Sequence, residues 1–436
     1  MRRVVDDLRS CADGQGEPPA PTDSTGAAYS GLVPEFPYSR LRRWPDVEAD
    51  NLQAHDATDL LLVERALETI AAHGLDGAEV AVIGDEYGAI TLALTEAGVR
   101  GIRVHQDLAT GRRALARNAQ ELGLDGFGSH ELDADLLDGA RLVLMQLPKA
   151  LAELEQIADA VARWAAPDVA LIAGGRVKHM TLTQNEVLGR SFTRVQAERA
   201  ARKSRLLVAD GPREVPETPP FPVTAAHDGF TLVAFGGAFA GARIDIGTRV
   251  LLEVLGAGRS QLLQSGTDPA ESGPNRPETA RSSGVVNDKA AAPTVIDLGC
   301  GTGALAIAYA LAHPEVRVIA TDRSAAAVAS ARASVAANGL ADRITVTHDD
   351  AASELPDAGA DVVLLNPPFH LGNSIHVGAA TRLFEASARL LKPGGHLLTV
   401  FNSSLAYRPE LTRLIGPTEQ LQRTAKFTVT RSIRRG

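Results

Sequence analysis

The chain has 436 residues, 44% of them hydrophobic and 22% charged, so it has apolar side chains for more than one core and the composition of a folded, soluble protein. No apolar run reaches the roughly 18 residues of a membrane span and the N-terminus lacks an apolar secretory core, which predicts a cytoplasmic protein with no membrane partner. A net charge of -9 speaks against a protein that coats nucleic acid, and Cys11 and Cys300 cannot build a disulfide framework or a zinc site.

Residues 1–30 are rich in Gly, Pro, Ser and Asp without an apolar period and predict a disordered leader. From 31 to 235, short Val/Ile/Leu strands alternate with Ala-rich helices, the pattern of a mainly parallel sheet covered on both faces. Within that region Val80–Ile83 runs into Gly84-Asp85-Glu86-Tyr87-Gly88, and Leu142–Gln146 leads into Leu147-Pro148-Lys149. Between Leu171 and Asp210 basic residues exceed acids by about five, which reads either as a solvated helix face or as a phosphate-binding surface. Lys178, Arg199, Arg202, Lys203 and Arg205 are the candidate contacts.

The second predicted domain, 236–436, opens with helical apolar spacing from Ile244 to Leu255, and 256–293 then reads as a flexible insertion. Thr294–Leu298 follows as a buried strand ending in Gly299-Cys300-Gly301-Thr302-Gly303, a turn that lets backbone lie against a nucleoside cofactor. The turn alone fits a dinucleotide as well as S-adenosylmethionine; for the latter, Asp297 is placed to hold the amine directly or through water. Asp322, about 20 residues beyond the turn and at a strand end, is placed to accept ribose hydroxyls. At the end of Ile344–His348, Asp350 is preferred over Asp349 for an adenine amino group, and His348 reads as a surface loop residue rather than a base.

Asn366-Pro367-Pro368-Phe369 closes a further apolar strand and carries the chemistry. A planar amino group is a poor nucleophile because its lone pair is delocalised. If the Asn366 oxygen and the Pro367 carbonyl each accept one N–H, the lone pair is directed at a methyl donor as the transition state forms. The prolines fix φ and remove competing donors, and Phe369 offers a stacking face for an extruded base. The expected activity is S-adenosylmethionine-dependent N-methylation, with no metal.

An offset of about 215 residues lays Val80–Gly88 on Val295–Gly303 and Asp107 on Asp322, and about 220 lays Leu142–Lys149 on Val362–Phe369. The fold class is therefore α/β, a tandem pair of Rossmann-like domains with mainly parallel, doubly wound sheets. In the first copy Glu86 replaces Gly301, Val82 replaces Asp297 and Gln146 replaces Asn366, so the scaffold is kept and the site is lost.

On these residues, with Asn51-Leu52-Gln53-Ala54, Ala173-Gly174-Gly175, Val177-Lys178-His179, Asp245-Ile246-Gly247, Asn366–His370 and Lys426-Phe427, the chain resembles the ribosomal RNA guanine-N2 methyltransferases. The large-subunit type G is the nearer of its two branches, the small-subunit type C the other. The resemblance covers about Asn51 to Ile433 and implies two class I methyltransferase domains. The first is degenerate and binds RNA; the second is live and makes N2-methylguanosine. It also implies ribosomal RNA or a ribosomal subunit as partner, and the internal duplication predicts a monomer. The leader, the 256–293 insertion and Ser403-Ser404 depart from the family pattern. Protein glutamine N5-methylation, DNA adenine N6-methylation and RNA binding without turnover are the competing readings.

Overall fold

The computed structural model describes residues 36–257, 292–368 and 374–436; the predicted leader, most of the predicted insertion, and Phe369 lie outside these residues. The body from Pro37 to Gly436 contains two seven-stranded sheets of the same strand order.

The first half begins with α1 (Ala57–His73), whose N-terminus carries a reciprocal cap between Asp56 and Asp59. Strand β1 (Val80–Ile83) is buried along its whole length, as a central parallel strand must be, and α2 (Ala89–Glu96), β2 (Ile102–His105), α3 (Ala109–Leu122), β3 (Phe127–Ser129), α4 (Ala134–Leu137), β4 (Leu142–Gln146), α5 (Leu151–Trp164) and β5 (Ala170–Arg176) follow. After α6 (Leu182–Ser191), β6 (Phe192–Ala197) and β7 (Ser204–Pro212) form a hairpin that adds antiparallel to β5, giving the order β3-β2-β1-β4-β5-β7-β6. The reversal between β1 and β4 opens a crevice at the carboxyl ends of the strands, where ligands bind in such sheets.

A second hairpin, β8 (Val223–His227) and β9 (Phe230–Ala234), leads to α7 (Ile246–Ala257). Beyond it come β10 (Thr294–Leu298), α8 (Ala304–Ala312), β11 (Arg317–Asp322), α9 (Ala325–Ala337), β12 (Ile344–His348), β13 (Ala360–Leu365), α10 (Ser374–Leu390), β14 (Leu391–Asn402), α11 (Tyr407–Leu414), β15 (Thr418–Arg423) and β16 (Phe427–Ile433). Their order, β12-β11-β10-β13-β14-β16-β15, repeats that of the first sheet strand for strand. Leu232 and Ala234 share a core with Val295, Leu305, Val318, Leu364 and Val429.

The sequence assigned β8 and β9 to the first domain, but they pack on α9. Ser330, Ser334 and Asn338, four residues apart on one face of that helix, bond the backbone of Thr231, Val233 and Phe235. Side chains thus replace the neighbouring strand that β9 lacks on that edge. Strand-like composition says where a strand is, not which helix will satisfy its free edge.

The two halves meet through equivalent loops. Ala109 N–H donates to the Arg323 carbonyl and Ala325 N–H to the Asp107 carbonyl, each at 2.8 Å. This reciprocal pair is what a two-fold dimer interface would make, here between two copies in one chain.

Candidate functional site

The glycine turn after β10 is open. Gly299 and Gly301 take φ of +77° and +54°, and a Cβ at either would meet no atom within 4 Å. Gly303, at φ +83°, caps α8 in the left-handed conformation. Buried Asp297 accepts the Ala306 N–H at 2.9 Å through one oxygen, while its other oxygen has no partner. Burial pushes its carboxyl up to about 7, and the charge of Asp322 adds to this. Asp322 accepts the N–H groups of Gly301 and Ser324, each at 2.9 Å, which ties the end of β11 to the glycine turn. Burial raises its pKa too, against the pull of those N–H groups. A turn with room for a ligand, beside an orphaned carboxylate oxygen and a carboxylate at the strand end, fits the methionine and ribose parts of S-adenosylmethionine.

At the end of β12 the two carboxylates have separate duties. Asp349 accepts from Arg113 of α3 at 2.6 Å, from Ser353 Oγ and from the Glu354 N–H. Burial opposes its charge, but the Glu354 N–H and Arg113 outweigh it and hold the carboxyl below its ordinary range. Asp350 pairs with Arg382 of α10, which also donates to the Pro45 carbonyl. Burial nonetheless raises the Asp350 pKa. Ala351 and Ala352 then both take φ of +51°, which a Cβ disfavours by about 1–2 kcal/mol per residue and which persists where the surroundings enforce it. His348 is not the surface loop residue expected. Its Nε2 lies 3.0 Å from the Asp107 carbonyl and 2.8 Å from that of Arg323, bridging the halves.

Asn366 stands at the end of β13 with its amide fixed. Nδ2 donates to Asp245 Oδ2 at 2.7 Å and to Thr248 Oγ1 at 2.9 Å, and buried Oδ1 has no partner. Pro367 is buried and Pro368 exposed. Sequence reasoning found Asn366 but not its holders. The signal for Asp245 was present, since an Asp directly before an apolar helix is a capping residue. Nothing in the sequence signalled Arg113 or Arg382.

In the first half the same crevice remains as a cavity of about 440 Å³ lined by Asp59, Asp85, Glu86, Gln146 and Lys149 among others. Glu86 projects into it, with its pKa raised by burial. The Thr91 N–H, equivalent to that of Ala306, is met by Asp85 rather than from position 82. Asp107, equivalent to Asp322, is turned outward to accept from Ser324 Oγ and the Ala326 N–H of the other half.

The basic stretch is a hairpin, not a helix face. Ala201 and Ser204 exchange both backbone hydrogen bonds, and Arg202 and Lys203 between them take φ of +52° and +61°. This is the turn geometry that normally selects Asn-Gly. The Val177 N–H donates to the Lys203 carbonyl, which brings Lys178 beside the turn. Lys178, Arg199, Arg202 and Lys203 are exposed; Arg202 pairs with Glu64 at 2.8 Å, and Arg205 is half-buried.

The Methyltransferase small domain family matches residues 285–431, and the RLMG N-terminal domain family matches 33–213. A "Ribosomal RNA large subunit methyltransferase G" of Streptomyces avermitilis is 32% identical over 409 residues, covering 91% of this chain and 97% of that protein. The chain belongs to the ribosomal RNA large subunit methyltransferase G family. Members from Shewanella amazonensis and Pseudomonas syringae pv. tomato are each 31% identical, covering 90% and 91% of this chain and 96% and 98% of their own lengths. As a member of that family the chain is an S-adenosylmethionine-dependent ribosomal RNA methyltransferase. Its fold is shared, at 21% identity and a TM-score of 0.62 over 82% of this chain and 88% of the other, by a T. Thermophilus 16S rRNA N2 guanine methyltransferase solved with AdoMet and guanosine. Among the described residues no helix is long and apolar enough to cross a membrane.

Proposed function

We propose that this chain methylates the exocyclic N2 amine of a guanosine in large-subunit ribosomal RNA. The observation that carries the reading is the Asn366 oxygen: buried, without a partner, and held by an amide whose N–H groups are committed elsewhere. An unmet acceptor of that kind costs about 1–3 kcal/mol of desolvation and is retained where a donor arrives in function.

When bound, S-adenosylmethionine supplies an electrophilic methyl group. Asp297, Gly299, Gly301, Gly303, Asp322 and Asp350 hold it, the glycines by leaving room and the carboxylates by accepting N–H and O–H groups. Asn366 Oδ1 and the Pro367 carbonyl accept the two amine hydrogens, so the nitrogen lone pair is freed from the ring and aimed. Phe369 has the base-stacking role that the sequence assigns to it.

The first half supplies RNA affinity, through Lys178, Arg199, Arg202, Lys203 and Arg205. Two cationic residues in a turn that penalises a Cβ support a phosphate-contact role, because a surface turn without function has no reason to keep them there. The protein acts in the cytoplasm as a monomer, with the half that ends at β7 as the RNA-binding part and the half that begins with the β8–β9 hairpin as the catalytic part.

The test is tritiated methyl transfer into naked large-subunit RNA, naked small-subunit RNA, assembled subunits and a release factor, with digestion of the product to nucleosides. The expected product is N2-methylguanosine from large-subunit RNA. Label in release-factor glutamine, or none in any RNA, overturns the reading. Calorimetry with the full chain is expected to give one cofactor site.

A further inference from the structure

A side-chain amide can be turned over without changing its shape, and in one of the two orientations Asn366 would point donors at the amine it is to receive. What decides the orientation lies at the start of α7 and in the residue before it, not on the catalytic turn. Asp245 Oδ1 accepts the Gly247 N–H at 3.1 Å, and Oδ2 accepts the Thr248 N–H and the Thr248 hydroxyl, both at 3.0 Å. The carboxylate can only accept. Because the Thr248 hydroxyl spends its hydrogen on Asp245, it has only lone pairs left for Asn366. Both groups that face the Asn366 amide therefore demand N–H, and the flipped form would set its oxygen against the Asp245 carboxylate and strand two donors.

We propose that Asp245 and Thr248 are positioning residues for methyl transfer, locking the Asn366 amide with its oxygen turned to the substrate amine. The inference rests on the reading of Asn366 as the amine acceptor. Its support is independent of the cofactor residues, because the polarity runs one way from the carboxylate to Thr248 to Asn366. The first half keeps the same kind of pair, Gln146 donating to Asp59 on α1. An amide held by an acidic side chain at the start of the first helix is thus a feature shared by both halves, and the catalytic half has put it to use.

The experiment uses the full chain and measures single-turnover methyl transfer into whichever RNA the wild type labels, with cofactor affinity from calorimetry and a thermal melt for each variant. Asp245→Asn can present its own N–H groups to Asn366 and lets the amide turn. The rate at saturating RNA should fall by about 10- to 100-fold, the usual loss when a partner that orients a liganding group is removed. Cofactor affinity and KM for RNA should stay at wild-type values. Thr248→Val should lower the rate in the same sense by a smaller factor, and Thr248→Ser, which keeps the hydroxyl, should restore it.

In an Asn366→Ala background, Asp245→Asn should lower the rate no further, since nothing is left to orient. Wild-type rates in Asp245→Asn and Thr248→Val, or full additivity with Asn366→Ala, would overturn the proposal. Should Asp245→Asn fail to fold, the Thr248 pair decides alone. A wild-type chain that labels no RNA would instead sink the functional reading beneath it.

Discussion

In the second half Asp297 meets one backbone N–H and leaves an oxygen over; in the first half Asp85 meets the equivalent N–H and that of Gly88, and neither oxygen is left over. Asp322 stays within its own glycine turn, whereas Asp107 has swung across to cap α9 of the other half. Gly301 keeps a left-handed φ and open space, whereas at the equivalent position Glu86 sets a charged side chain on the wall of the crevice. The contrast teaches how a binding site is retired within an unchanged strand order. The open valences that a ligand would satisfy are closed by the protein itself, and one of them becomes interface.

The sharpest break between the halves is expected at the paired amides. Asn366→Ala should lose about 2.7–4 kcal/mol of transition-state stabilisation, the range for removing one preorganised hydrogen-bonding group, with cofactor affinity little changed. Gln146→Ala, its counterpart, should leave methyl transfer at the wild-type rate. Equal losses in the two variants would mean that the first crevice takes part in chemistry.

A smaller effect is expected where the halves join. Arg113→Ala strands Asp349, whose side chain is only 3% exposed. Removing one partner of a fully buried pair costs about 3–5 kcal/mol, and roughly 1–3 is expected here because Arg113 is partly solvated. The Asp349 carboxyl is held below its ordinary value, so its contribution is present above that value and is lost as pH falls through the lowered one. Urea melts of the wild type and Arg113→Ala should therefore converge at low pH. Parallel curves down to the acid limit would remove Asp349 as the reason.

Asp59 works with the opposite sign. Burial and the charge of Asp85 raise its pKa from 3.8 to about 8, so the native state holds a proton that the unfolded chain has released. Stability should fall as pH rises between those values, and Asp59→Asn should flatten that slope, as read from denaturant midpoints at several pH values. An unchanged slope would place the proton elsewhere.

The mildest prediction concerns the basic hairpin. The triple variant Arg199→Ala, Arg202→Ala, Lys203→Ala should make the dependence of log affinity on log salt shallower by about 0.7 per lost phosphate contact on single-stranded RNA. Methyl transfer at saturating RNA should survive. Filter binding that returns the wild-type affinity and slope would move RNA recognition to the second half, with its Arg434 and Arg435 tail.

The sequence by itself determined the two strand sets, their duplication and the polar residues at the strand ends. Those are local signals: a run of Val, Ile and Leu, a glycine turn, an Asn-Pro-Pro step. It did not foresee the hairpin around Arg202 because a two-residue turn of this type is announced by Gly or Asn, and here the turn residues are Arg and Lys. It placed His348 at the surface because nothing local says that a strand end meets another domain.

What only the tertiary structure decided is which groups face one another. Asp245 and Asn366 lie 121 residues apart, and Arg113 and Asp349 lie 236 apart. No periodicity or spacing spans such distances. The pairing follows from how α7 packs on the second sheet and how the duplicated loops dock, and those are properties of the whole packed chain.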